Sequence, residues 1–188
     1  MGGDPSERKP RPVLIHTLRG SVEGSLRVNP EVRTLDFLNV PQRFITVDAT
    51  DISVADWSFE PGRLAINKNL IVFVTELTDE ASATDRRAEA AHFTREGISL
   101  RVADCDVKGY MHVRGVHDPL IWLSHSKQPF MALTSASVVG PDFELAAGFL
   151  AVNPAHILAV QTLELNAADP EAEPAWASEA EADRPAVG

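Results

Sequence analysis

Histidines, carboxylates and a single thiol are the groups of this chain most able to do chemistry. His112, His117 and His125 fall close together beside Asp118, but spacings of five and eight residues fit no compact zinc-ligand pattern. Asp48, Asp51, Asp56 and Glu60 form an acidic run. It lacks the glycine and the alternate-residue carboxylates of a calcium loop and reads as a solvated loop. Cys105 sits between Asp104 and Asp106, whose charges raise its pKa, the opposite of what an activated thiolate needs. As the only cysteine it also excludes an intrachain disulfide and a multi-cysteine zinc site. No G-x-S-x-G elbow, phosphate-binding loop or dinucleotide glycine fingerprint occurs. The expectation is a non-enzyme with no catalytic residue, no metal and no cofactor.

Charge narrows the partners. The 188 residues carry 17 Lys plus Arg against 27 Asp plus Glu, a formal net charge of −10. A protein that coats nucleic acid draws its affinity from Lys and Arg, so the total argues against that role. Half of the excess, −5, lies between Asn166 and Gly188, an Ala-, Glu- and Pro-rich stretch with no apolar periodicity. That composition predicts a disordered acidic tail. Residues 1–12 hold three prolines, carry a net +1 and read as a flexible arm. The start lacks the apolar stretch of a secretory signal, and nothing approaches 18 consecutive apolar residues. A cytoplasmic protein with no membrane contact is expected.

The elements that must position any site come in two copies. Residues 64–77 read LAINKNLIVFVTEL and residues 150–163 read LAVNPAHILAVQTL, identical at six of fourteen positions. The same offset of 86 aligns Phe44-Ile45 with Phe130-Met131. An offset of 85 aligns Gly24, Leu26 and Val28 with Gly109, Met111 and Val113, and Leu35 and Leu38 with Leu120 and Leu123. The reading is repeat 1 at 13–77 and repeat 2 at 98–165. Alternation such as Ile98-Leu100-Val102 predicts strands with one face in a core. Five or so short strands in 65 residues predict a small, strongly bent barrel in each repeat. Asn67-Lys68-Asn69 and Asn153-Pro154-Ala155 predict a tight reversal between the last two strands. Between the repeats, 78–97 is rich in Ala, Glu and Arg and ends at Gly97, which predicts a short helical linker.

INKNLIVFVTEL (66–77) and VNPAHILAVQTL (152–163) resemble the closing two-strand motif of Sm-like (LSm/Hfq-type) proteins: an apolar residue, a basic residue, a tight turn, then an alternating apolar strand ending in Leu. Gly24-Ser25-Leu26 and Gly109-Tyr110-Met111 resemble the glycine at which the second Sm strand bends. Asp36-Phe37-Leu38-Asn39 resembles the Asp-x-x-Asn portion of the first Sm motif. The paired arrangement is similar to an uncharacterised bacterial group of Sm-like proteins. The resemblance implies a mainly β chain of two tandem Sm-like barrels. It also implies self-association through the fourth and fifth strands of each repeat, with Ile71, Phe73, Ile157 and Ala159 on the oligomer edge. A tandem chain would form a six-unit ring from three copies or a four-unit ring from two. Where Sm proteins that bind RNA carry Arg-Gly or Lys-His at the closing turn, this chain has Asn67-Lys68 and Asn153-Pro154. The expected function is therefore a scaffold that binds protein partners. The alternative is a single-stranded RNA binder using Asn39, Asn67 and Lys68, with Phe37 stacking on a base. The distance from Gly24 to Asn39 implies an extended loop or strand there.

Overall fold

The computed structural model describes residues 9–55, 57–77, 93–114 and 118–163. Those residues are mainly β: ten strands, two short helices and two 3-10 turns. Repeat 1 supplies β1 (Lys9–Thr17), β2 (Gly20–Val28), α1 (Thr34–Asn39), β3 (Phe44–Val54), β4 (Gly62–Asn67) and β5 (Ile71–Glu76). Repeat 2 supplies β6 (Phe93–Val102), β7 (Cys105–Arg114), α2 (Pro119–His125), β8 (Met131–Val139), β9 (Glu144–Val152) and β10 (Ile157–Thr162). The order of elements is the same in both.

The chain divides into two compact units, and the boundary does not follow the repeats. Unit 1 contains the described residues up to 77 together with Lys127–Ala132 and Ala151–His156. Unit 2 contains the described residues of 93–126, Leu133–Leu150 and 157–163. In unit 1 all pairings are antiparallel: β5 lies on β1, β1 on β2, β2 on β3 and β3 on β4. In unit 2, β10 pairs with β6, β6 with β7 and β7 with β8.

Alternation builds the cores. Val13 and Ile15 on β1, Val22 and Leu26 on β2, and Ile45 and Val47 on β3 are all buried in unit 1. In unit 2, Ile98, Leu100 and Val102 on β6 are buried with Val107, Met111 and Val113 on β7. β-branched and apolar residues at every second position present one face to the core and leave the other to solvent. The strands bend at glycines. The β2–β3 register shifts between Glu23 and Gly24, and a Cβ on Gly24 would lie 2.4 Å from the Asp48 carbonyl oxygen. Its counterpart Gly109 sits where the β7–β8 register shifts, between Lys108 and Tyr110.

Several expectations change. The extended loop or strand leading to Asn39 is the helix α1, and its counterpart in repeat 2 is α2. The sequence does carry a start signal for α2. The Asp118 carboxylate accepts from the Leu120 amide, and Pro119 occupies the first turn, where its missing N–H costs nothing. The last two strands of repeat 1 do not reverse on each other, because β4 lies on β3 and β5 on β1. The turn that links them is a 3-10 turn, Lys68–Leu70, and repeat 2 has the equivalent at Pro154–His156. β1 begins at Lys9, inside the segment expected as an arm. Phe93–Gly97, at the end of the expected linker, is strand paired with Tyr110–Arg114. The rest of the linker, the tail from 166, Asp56 and His117 lie outside the described residues.

Candidate functional site

The closing turn of repeat 1 is organised by backbone carbonyls and the side chains that satisfy them. Asn67 ends β4, and its Oδ1 accepts from the Asn69 amide at 3.1 Å, which folds the chain into the 3-10 turn. Lys68 follows and is buried. Its Nζ donates to the Leu38 carbonyl at 2.9 Å and to the Val40 carbonyl at 2.5 Å, both at the C-terminal end of α1. A cation there meets the unsatisfied carbonyls of the helix. Burial pushes the Lys68 pKa down from its ordinary value.

A segment of repeat 2 sits on this turn within unit 1. Asn153 is buried, and its Nδ2 donates to the Lys68 carbonyl at 3.2 Å and the Ile71 carbonyl at 2.9 Å. The Asn153 amide donates to the Val72 carbonyl at 2.9 Å, and its Oδ1 accepts from the Ala155 amide at 3.0 Å. The imidazole of His156 lies 2.9 Å from the Asn69 carbonyl. A second graft lies beside α1: Asn39 Oδ1 accepts from the Phe130 amide at 2.8 Å and Nδ2 donates to the Phe130 carbonyl at 3.1 Å. The Asn39 amide group thus pairs with a backbone as a neighbouring strand would. Phe130 itself is fully buried.

Of the four residues expected at an RNA site, Asn39 and Lys68 therefore spend their polar atoms on backbone inside unit 1. Phe37 on α1 is exposed to an intermediate degree. Asn67 is half-buried, and among the described residues its Nδ2 has no hydrogen-bond partner. On the expected oligomer edge, Ile71 and Phe73 are fully buried, while Ile157 is half-buried and Ala159 exposed. Among the described residues, β4 in unit 1 is paired with β3 and β10 in unit 2 with β6, each on one side. Sequence reasoning named Asn153 only as a closing-turn residue and named no residue of β4 on the oligomer edge; the Asn shared by both turns was a signal for the clamp.

The titratable clusters have structural partners. His112 Nε2 lies 2.8 Å from the Thr134 hydroxyl, and His125 Nδ1 lies 2.8 Å from the Ile121 carbonyl. Burial first, then the nearby Arg95 charge, pushes the His112 pKa down. Asp48 pairs with Arg27, and Asp51 accepts from the Ser53 hydroxyl. Burial, reinforced by Asp104, pushes the Cys105 thiol up to about 12.

Fold and site define a mainly β protein of two like-ordered repeats, with polar side chains clamping a closing turn. Compared with protein-family models, curated proteins and solved structures, the chain matches none.

Proposed function

We infer that the chain is a non-enzymatic scaffold of two tandem Sm-like barrels that self-associates through its edge strands and holds protein partners. One observation carries the reading. β5 and β10 are equivalent strands, yet Ile71, Val72, Phe73 and Val74 are fully buried while Leu158, the counterpart of Val72, is 72% exposed. Among the described residues β10, which contains ILAV, is paired on one side by β6, and a strand at an edge is a template for another strand. The neighbouring helix α2 adds exposed Leu120 and Ile121. Isolated apolar groups on a surface are ordinary, but a strand and helix of them at an open edge mark an interaction surface.

Light scattering on the full chain tests this at concentrations up to about 100 µM, where weak association still registers. The expected result is a mass of two or more chains that falls on dilution. A single-chain mass throughout would overturn the reading. Titrating the same sample with short oligouridine and oligoadenine at low salt separates off the RNA alternative, for which salt-sensitive binding is the signature.

A further inference from the structure

In unit 2, β6, β7 and β8 bring five polar or aromatic side chains together on the outer face of the sheet. Arg95 on β6 stands opposite His112 on β7, and Tyr110 on β7 stands opposite Thr134 on β8. Residues two apart on a strand share a face, so Tyr110 and His112 point the same way. The exposed Arg95 guanidinium lies 3.4 Å from the Tyr110 ring centroid, and its Nη2 donates to the Ser135 hydroxyl at 3.4 Å. His112 Nε2 lies 2.8 Å from the Thr134 hydroxyl. Ser135 has a φ of 45°, left-handed for a residue other than glycine, at the bulge where the β7–β8 register shifts. A bulge re-aims a side chain, and strain of this kind persists only where its surroundings hold it.

Repeat 1 fills the same five positions with different chemistry. Pro10 stands opposite Arg27 as Arg95 does opposite His112, and Ser25 opposite Asp48 as Tyr110 does opposite Thr134. There the Arg27 guanidinium closes an ion pair on the Asp48 carboxylate. Ala49, the counterpart of Ser135, has no positive φ. Repeat 2 thus puts a neutral hydroxyl in place of the carboxylate, adds a second hydroxyl and brings a guanidinium where repeat 1 has proline.

The result is a cationic patch on a chain of net charge −10. Among the described residues no carboxylate pairs with Arg95 or His112. The nearby acids are engaged or face elsewhere. Glu96 pairs with Met111 on the other face, Asp106 is bonded to Arg101 at 2.8 Å, and Asp118 caps α2. Glu144 lies at the end of β9 away from Thr134. His125 of α2 bonds the Ile121 carbonyl, and exposed Lys108 continues the face of Tyr110. Donors from three strands suit the several oxygens of a tetrahedral oxyanion better than the two of a carboxylate.

We propose that this face of unit 2 binds the phosphate group of a small soluble monoester, with Arg95 as the charged fork and Thr134 and Ser135 as hydroxyl donors. His112 acts as a positioning residue. With Nε2 protonated it donates to Thr134, whose own hydrogen then goes to the anion. A dianion held there also offsets the Arg95 charge that, after burial, pushes the His112 pKa down.

Imidazole NMR signals of the full chain, titrated at constant ionic strength, test this. Inorganic phosphate and glycerol phosphate should each shift the His112 signals saturably, and chloride should not. Sulfate, whose charge is constant across the range in which imidazole titrates, should raise the His112 pKa by about one unit. Arg95→Gln, at an exposed position, should weaken phosphate binding by about tenfold or more. Thr134→Asp should do the same, because it supplies the carboxylate that closes the pair in repeat 1. It should also raise the His112 pKa with no anion added, a sign that the variant is folded with its pair formed. Shifts that chloride reproduces, or a His112 pKa that sulfate leaves unmoved, overturn the site. Phosphate affinity that survives both variants does so too, and loss in only one of them overturns the shared role of Arg95 and Thr134. Binding to phosphatidic-acid vesicles with none to the two soluble probes overturns the small soluble ligand.

Discussion

At the scale of single residues, buried polar groups of unit 1 act as fasteners for backbone. Lys68→Met keeps the length and apolar stem but removes the donor from the Leu38 and Val40 carbonyls. A cost of about 1–3 kcal/mol is expected, the usual penalty for stranding buried acceptors, and thermal unfolding measures it. His112 gives unit 2 an acid-sensitive element. Its folded pKa lies below the ordinary 6.5, so the unfolded chain takes up the proton first as pH falls. Stability from this group is complete above about 6.5 and declines as pH drops toward the folded value. The melting temperature should fall as the pH is lowered through that window, and His112→Asn should flatten the slope. An unchanged slope in the variant would assign the acid sensitivity to other groups.

Among the elements, the glycine bends are the most exacting positions. Gly24→Ala would drive a Cβ to 2.4 Å from a backbone oxygen and 2.8 Å from the Ala49 Cα, neither of which can step aside alone. The expected loss is about 1–3 kcal/mol or more, read by denaturant unfolding. At Gly109 the nearest atoms are the Ala136 and Leu133 Cβ atoms at 3.2 Å, so the same change there should cost less. Those glycines, the duplication and the five strands of each repeat were legible in the sequence because alternation and a repeated Gly-x-Leu or Gly-x-Met phrase are local patterns. The helices were not. Helices of six and seven residues make less than two full turns, too few for a stripe, and Leu35 and Phe37 read equally well as strand. The clamp was illegible for a different reason. Asn153 reaches carbonyls 82 and 85 positions away, and a carbonyl is carried by every residue, so no side-chain pairing announces it.

For the whole molecule, the division into units matters more than the division into repeats. Short pieces of repeat 2, Lys127–Ala132 and Ala151–His156, belong to the unit built on repeat 1. Their counterparts in repeat 1 include Phe44, which is exposed, and Asn67, which is half-buried. The net charge of −10 acts at this scale too, since chains of like charge repel and any assembly must overcome it through contact chemistry. Added salt should therefore strengthen association through screening, the reverse of its effect on nucleic-acid binding. Light scattering at low and high salt checks the sign.

The paired asparagines give the duplication a further meaning. In a chain of one repeat, a single codon would set both of these asparagines. Here the residue at 153 clamps the first closing turn, while the residue at 67 accepts only from Asn69 within its own turn among the described residues. One inherited residue thus has two separate codons, and selection or an engineer can change the copy at 67 without loosening the clamp at 153.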